Sequence, residues 1–356
     1  MTRLAVITEI PAPYRIPLFN ALSQRLDLRV AFLRRRQPGR NYALREDELR
    51  FDWRVLPGLR LGAGVRWVLL NAGVRGALRD REAVLVGGWN QPAFWQALAW
   101  SRARHVPVIV WVESTLRDAR PGFSRHAKRV FGQQAAGFVV PGRAAEAYVR
   151  SLVPDAEIAV APNAVDAELF ASRASDRGRL RAEFGLARPC VLYVGRLSPE
   201  KGVDVLLAAA GKLDADVVVA GTGPLAAQLA ATAPPNVRFL GHVERDALPA
   251  WYAAADVLCL PSRSETWGMS LNEGAAAGLP LVATESVGAA WDLVEEARNG
   301  FRVPTDDPHA LREALTRLVE DVDLRRSAGN RSLELSKRFT PAAWADVVAE
   351  VVRRKS

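Results

Sequence analysis

The stretch "CVLYVGRLSPEKGVDVLLAAAGKLDADVVVAGTGPLAAQL", Cys190 to Leu229, decides the fold. Two continuous apolar runs each end near a glycine and lead into a helix-like segment. Apolar runs without alternation read as parallel strands covered by helices on both faces. Strand, turn and helix in repetition make an α/β doubly wound pattern. The rhythm continues through the strands "VRFLG", "VLCLP" and "PLVAT" and the helices "RDALPAWYAA" and "PHALREALTRLVED". It is also present earlier, in "LAVIT", "LRVAFL", "AVLVGG", "VPVIVWV" and "GFVVP", with "IPLFNALSQRL" and "QPAFWQALAWSRARH" between them. A chain of 356 residues exceeds one compact core. The expected organisation is two Rossmann-like domains, residues 1–165 and 166–338, followed by a terminal helix, residues 339–356. That helix, "FTPAAWADVVAEVVRRKS", has Pro341 in its first turn and basic residues in its last, and it could pack back toward the first domain. Between the two series, "VAPNAVDAELFASRASDRGRLRAEFG" reads as the linker. In open α/β sheets ligands bind beyond the carboxyl ends of the strands, so two such domains imply a site in the cleft they would face.

Hydrophobic residues make up 49% of the chain and charged residues 24%, a globular composition. No apolar run reaches the roughly 18–20 residues that span a bilayer. The segment "MTRLAVITEI" lacks the pattern of a signal peptide, and a cytoplasmic protein is expected. Cys190 and Cys259 both sit in apolar strands and read as buried thiols. Two cysteines and four scattered histidines give no metal-ligand spacing. The net charge of +9 is uneven, because residues 1–170 carry +10 and the remainder −1. "RRRQPGR", Arg34 to Arg40, is the densest basic run. A solvated arginine-rich face is the first reading, a peripheral contact with an anionic membrane the second, and nucleic acid the third. No zinc finger, RNP pattern or basic zipper supports the last.

Three segments could carry chemistry. In "YVGRLSPEKGVDVLL", Gly195 permits a turn, Arg196 and Lys201 lie on the loop, and Gly202 precedes a helix, which together suit a phosphate. The spacing is not that of a P-loop. In "VVVAGTGPLAAQL", Gly221 and Gly223 would let a ligand approach the backbone, or would simply form a tight turn. In "ETWGMSLNEGAAAGLP", Ser270-x-x-Glu273 fits a capping box, with Gly278 closing the helix. Glu265 has no such local explanation. A glycosidase-like carboxylate pair is argued against by the neighbouring cations, which suit a diphosphate leaving group. Asp214-x-Asp216 and Asp321-x-Asp323 read as solvated surface charge rather than metal ligands.

Taken together, "GRLSPEKG", "GTGPL", "FLGHV", "YAAADVLCLPSRSETWGMSLNEGAAAGLPLVAT" and "PNAVDAELF" resemble the retaining glycosyltransferases of the family-four group, glycosyl transferases group 1, with the GT-B fold. The resemblance covers nearly all of residues 160–305, and "PAPYRIPLF" extends it more loosely to the first half. It implies a sugar-nucleotide donor, a UDP-sugar ahead of a GDP-sugar, held mainly by the second domain, with no metal or other cofactor required. Arg196 and Lys201 would bind the diphosphate and stabilise the leaving nucleotide, Glu273 the ribose, and Glu265 the donor sugar. Trp267, Gly268 and Met269 would offer backbone amides, with Gly195, Gly221 and Gly223 leaving room for the nucleotide. His242 and Val243 would line the base pocket. The acceptor would be a glycan, a lipid-linked molecule or a small molecule, met by the first domain. Three departures stand out. "EIPAPYRIP" replaces a glycine pair, which brings Tyr14 and Arg15 into view. Glu113 stands where many members carry a histidine, and it is taken as a further catalytic candidate. Gly288-Ala289 replaces a second glycine pair. A sugar-nucleotide epimerase on the same fold, a catalytically silent donor binder and a basic nucleic-acid-binding protein are the competing readings.

Overall fold

The structure is a computed structural model and describes residues 1–36, 46–63, 66–118 and 122–356. Residues 37–40 of the basic run Arg34–Arg40 lie outside the described residues. The chain divides into two compact units, Met1–Ala164 with Pro341–Ser356, and Val165–Thr340.

The first unit runs β1 (Arg3–Thr8), α1 (Ile16–Ser23), β2 (Asp27–Phe32) and β3 (Asp52–Val55). The strands β4 (Gly58–Ala63) and β5 (Arg66–Asn71) follow, then α2 (Val74–Leu78), β6 (Ala83–Val86), α3 (Pro92–Arg102) and β7 (Val108–Trp111). It continues with α4 (Phe123–Gly132), β8 (Gly137–Val140), α5 (Arg143–Leu152) and β9 (Ile158–Val160). Seven strands form a parallel sheet in the order β3-β2-β1-β6-β7-β8-β9, and β4-β5 stand apart as an antiparallel ribbon. Alternate strand residues point to opposite faces. Ala5, Ile7, Val84, Val86 and Val110 pack under α2, α3, α4 and α5. Leu4, Val6, Val30, Leu85 and Ile109 pack under α1 and the terminal helix. The short edge strands β3 and β9 and the ribbon are additions to the pattern read from sequence.

The second unit opens with α6 (Ala167–Ala171) and α7 (Arg177–Glu183), where a linker was expected. Phe170 and Leu180 are buried in its core, each worth about 1.5–3 kcal/mol by area removed from water. Arg177 and Arg181 also reach Asp256 at 2.6 and 2.7 Å, and the Cys190 amide donates to the same carboxylate at 2.8 Å. The charged residues that suggested a solvated linker are therefore ties between α7 and the sheet. There follow β10 (Cys190–Val194), α8 (Val203–Ala210), β11 (Asp216–Ala220), α9 (Ala226–Ala231), β12 (Val237–Gly241), α10 (Leu248–Ala254) and β13 (Val257–Leu260). The unit closes with α11 (Met269–Ala276), β14 (Leu281–Thr284), α12 (Ala290–Leu293), β15 (Gly300–Val303), α13 (Pro308–Glu320) and α14 (Val322–Ser336). Its parallel sheet has the order β12-β11-β10-β13-β14-β15, with the strand order reversing between β10 and β13. The last helix, α15 (Pro341–Lys355), returns to the first unit. There Trp344 packs with its ring centroid 5.1 Å from that of Trp111 and 6.3 Å from that of Phe19. Both cysteines are free and buried, and burial pushes the Cys190 thiol up to about 12.

Candidate active site

The loops that leave the carboxyl ends of β10, β11 and β13 meet at the switch point of the second sheet, the place where open α/β sheets bind ligands. After β10 the backbone is held at each step. The Gly195 amide donates to Ala220 O at 3.0 Å, the Tyr193 hydroxyl donates to Arg196 O at 2.9 Å, and the Leu197 amide donates to Thr222 O at 2.8 Å. Arg196 is half-exposed and pairs with Glu200 at 2.6 Å, and Ser198 Oγ donates to the same oxygen at 2.7 Å. Burial would raise the Glu200 carboxyl, but the Ser198 hydroxyl, its own backbone amide and Arg196 together outweigh it and hold it below its ordinary value. Gly202 has φ +62°, and a Cβ there would lie 2.1 Å from Pro261 O. This glycine is needed both for its backbone angle and for its contact with the loop after β13.

Gly221 and Gly223 have a packing reason of their own. A Cβ on Gly221 would lie 1.8 Å from Gly195 O, and one on Gly223 would lie 2.2 Å from Leu197 O. The two glycines make room first for the neighbouring loop of the chain itself. Beyond β12, His242 is exposed with Nε2 3.2 Å from the Glu244 carboxylate, and Val243 beside it is half-buried.

In the loop after β13, Lys201 and Glu265 form an ion pair, each with its side chain only 18% exposed. Glu265 is pinned through its backbone. Its amide donates to Ser286 O at 3.3 Å and its carbonyl accepts from the Gly288 amide at 3.0 Å, while the Ala289 amide donates to Trp267 O at 2.9 Å. A Cβ on Gly288 would lie 2.1 Å from Thr266 O, so this glycine allows the two loops to lie together. Trp267 is buried and donates its indole N–H to Asn272 Oδ1 at 2.8 Å. Its ring is used in packing, and its carbonyl is engaged by the Ala289 amide.

Sequence reasoning missed Arg263. Its guanidinium meets both Asp204 oxygens at 2.8 and 2.7 Å, Asp306 at 2.6 Å and Pro199 O at 2.9 Å, and its amide donates to Glu200 O at 2.8 Å. It therefore clamps the Lys201 loop to the Glu265 loop. In the sequence it looks like any other surface arginine.

The capping box is corrected. α11 begins at Met269, with Gly268 at the N-cap position at φ +104° and no side-chain cap, so Ser270 lies within the first turn. The Glu273 carboxylate instead accepts from the Tyr252 hydroxyl at 2.5 Å. The other end of the helix is as expected. Gly278 has φ +76°, its amide donates to Ala275 O at 3.1 Å, and the Leu279 amide donates to Gly274 O at 2.9 Å, which is a Schellman closure.

Burial raises the Glu273 carboxyl above its ordinary 4.5, with the Tyr252 hydrogen bond and Arg245 acting in the opposite sense. The folded chain thus holds this proton to higher pH than the unfolded chain does. As pH rises from 4.5 through the raised value, this group takes stability away. Glu273→Gln removes that loss. The variant's thermal midpoint, relative to the parent's, is expected to climb as pH rises across this window. A difference that stays constant with pH would show that the carboxyl is not held in this way.

Glu113 belongs to the first unit, at the carboxyl end of its sheet. Arg15 meets its Oε2 at 2.6 Å, and Asn163 Nδ2 donates to its Oε1 at 3.1 Å. Arg15 also donates to Thr8 Oγ1 at 2.8 Å, and its guanidinium lies 4.5 Å over the Trp111 ring and 5.7 Å from the centre of the Tyr14 ring. Burial would lower the Arg15 pKa, but the Glu113 charge and hydrogen bond, together with Tyr14 and the Glu9 charge, outweigh it and raise the value. Glu113 is a fixed carboxylate with both oxygens engaged. It is suited to accept a hydroxyl hydrogen bond on its remaining lone pairs rather than to remove a proton. Beside it, Glu9 accepts from Arg34 at 3.1 Å and from Gln91 at 3.0 Å.

The candidate residues thus fall into one set in the second unit, gathered by the β10, β11, β12 and β13 loops, and one pair, Arg15 and Glu113, in the first. The Asp-x-Asp pairs lie elsewhere. Asp216 pairs with Arg188 at 2.6 Å, and Asp321 caps α14 by accepting from the Leu324 amide at 2.8 Å.

The chain is similar to known proteins. Residues 188–321 match the family model of glycosyl transferases group 1. The D-inositol 3-phosphate glycosyltransferase of a Nocardioides species is 32% identical over 262 residues, covering 64% of this chain and 57% of that one. The GDP-mannose-dependent alpha-mannosyltransferase of Mycolicibacterium smegmatis is 32% identical over 231 residues, covering 57% of this chain and 61% of that one. The chain spans about half the length of the curated relatives it matches. Among solved structures, Anabaena Alr3699/HepE in complex with UDP superposes with a TM-score of 0.83 at 20% identity, over 99% of this chain and 100% of that one. The match to glycosyl transferases group 1 thus lies within the second unit, at residues 188–321, and the chain carries the GT-B fold of two Rossmann-like domains.

Proposed function

We propose that the protein is a retaining hexosyltransferase. It moves a sugar from a nucleoside diphosphate sugar, UDP ahead of GDP, to an acceptor hydroxyl in glycan, glycolipid or small-molecule glycoside synthesis. One observation carries this reading: the half-buried Lys201–Glu265 pair at the switch point of the second sheet, with Arg196 on the same loop as Lys201. Arg196 and Lys201 would receive the diphosphate, with Arg196 exchanging Glu200 for phosphate oxygens. As the glycosidic bond breaks, its electron pair leaves with the diphosphate, and fixed cations lower that barrier. Two cations in this position supply the charge that a metal would otherwise supply, so no metal is required. Glu265 would hold a donor-sugar hydroxyl, and Glu273 the ribose. The acceptor oxygen would attack on the face the diphosphate leaves, and its proton would pass to the departing phosphate oxygen. The Thr8, Arg15 and Glu113 cluster would orient the acceptor or a donor hydroxyl. The buried reduced cysteines suit a cytoplasmic reaction, and the inner face of the membrane is where a lipid-linked acceptor would be met.

The first test is thermal unfolding with UDP, GDP and ADP, followed by nucleotide release from the matching sugar nucleotide. Stabilisation by UDP of at least about 2.7 kcal/mol at a hundredfold excess over Kd is expected by mass action. Release should be stimulated by acceptor and unchanged by chelator. Stabilisation by none of the three nucleotides would remove the donor reading.

A further inference from the structure

We propose that the helix-covered face of the first unit docks on an anionic membrane surface, with the β4-β5 ribbon as its apolar contact. The ribbon has two unlike faces. Its register pairs Leu59 with Leu70 and Leu61 with Val68, which places these four aliphatic residues on one side. Leu59, Leu61 and Leu70 are 64%, 43% and 44% exposed. On the other side Leu69 is buried under α3, with its amide donating to Gln91 Oε1 at 2.9 Å, and the Asn71 amide group donates to Leu33 O at 2.8 Å. The ribbon is thus fixed by its inner side and presents leucines outward on a rigid support. Isolated exposed apolar residues are ordinary, but a one-sided row of them is a contact surface.

The charge around the ribbon identifies the occupant. Across the ribbon and the helices of the same face, residues 58–62, 68–80, 92–104, 124–132 and 143–152 hold ten arginines and lysines against two acidic residues. Arg75, Arg79, Arg104 and Arg129 are exposed on this layer. Basic residues near an anionic leaflet contribute about 1 kcal/mol each, and leucines add burial in the headgroup region. Nucleic acid would match the charge, but a single strand stacks its bases on aromatic side chains, a duplex presents charged phosphates, and neither covers an exposed aliphatic row. This inference rests on charge and exposure. Apart from the use of UDP binding as a folding control, it does not depend on the sugar-transfer reading, although a surface of this kind would bring a lipid-linked acceptor to the enzyme.

The full chain is tested by flotation with vesicles of phosphatidylcholine alone and of phosphatidylcholine with phosphatidylglycerol. Binding is expected only with the anionic lipid, and it should weaken with salt. Leu59→Ser/Leu61→Ser/Leu70→Ser and, separately, Arg75→Glu/Arg79→Glu are each expected to lower it by about tenfold or more. Both variants should keep the parent's UDP-induced thermal shift, which shows that the second unit is intact. An unchanged far-ultraviolet spectrum and thermal midpoint show the same for the first. Equal binding to both vesicles, or anionic binding that neither variant lowers, would overturn the proposal. So would a parent dimer that the leucine variant makes monomeric without affecting lipid binding. Preference for duplex nucleic acid over anionic vesicles at equal ionic strength would also overturn it.

Discussion

Lys201→Ala is expected to lower turnover of a sugar nucleotide by ~10²–10³-fold and to weaken nucleotide affinity as well. The two effects have separate sources. A lysine that meets the diphosphate attracts it in the bound donor, and attracts it more strongly once the bond has broken and the leaving group carries more charge. The first attraction appears in affinity and the second in turnover. Glu265→Gln should behave differently. It keeps a hydrogen-bonding side chain at a similar position but removes the partner charge of Lys201, so turnover should fall far more than nucleotide affinity. A structural reading of the same pair is also open to measurement. If Lys201 served only to neutralise the half-buried Glu265, then Lys201→Ala would be harmful because it leaves that carboxylate unpaired, and adding Glu265→Gln would restore most of the loss. If both side chains touch the donor, the double variant should be at least as impaired as the worse single one. Initial rates and nucleotide dissociation constants for the three variants separate the two cases. Unchanged turnover in Glu265→Gln would end the assignment of that residue.

Much of the fold was legible because buried parallel strands are written as unbroken apolar runs, and "CVLYV", "DVVVA" and "VLCL" are strands with nearly the boundaries expected. The ribbon was not legible, because "GLRLGA" is short, glycine-rich and exposed on one side. The segment 166–183 was misread for a related reason. Its arginines signal solvent in a sequence, and only the fold shows that Arg177 and Arg181 converge on Asp256. At the candidate site, Lys201 and Glu265 are 64 positions apart and become a pair only when β10 and β13 lie side by side. Spacing along the chain can suggest each residue, but not their pairing. Glu273 shows the opposite error. Ser270-x-x-Glu273 is a valid local pattern, but Gly268 moves the helix start by two positions and Tyr252, from a different helix, takes the carboxylate. Arg263 was invisible for the same reason as Arg177, since a clamp is defined by its partners.

Gly221→Ala is expected to destabilise the protein by about 3 kcal/mol or more, and with it to abolish most nucleotide binding. The new methyl would stand 1.8 Å from Gly195 O and 2.9 Å from its carbon, at a backbone angle of φ +146° that side chains rarely adopt. Relief would require one of two backbones to move, and both are held. The Gly195 amide donates to Ala220 O at 3.0 Å, and the Gly221 amide donates to Gly241 O at 2.7 Å. Movement of Gly195 would carry Arg196 with it, which is why stability and nucleotide affinity should fall together. Gly178→Ala provides the contrast. It lies within α7 with open space around the added methyl, so it should be neutral or stabilising by roughly 0.4–1 kcal/mol. Denaturant unfolding of both variants measures the difference directly. If Gly221→Ala unfolded at the parent's midpoint, the loop would be pliable, and the glycine would have to be explained by the approach of a ligand instead of by the approach of its own chain.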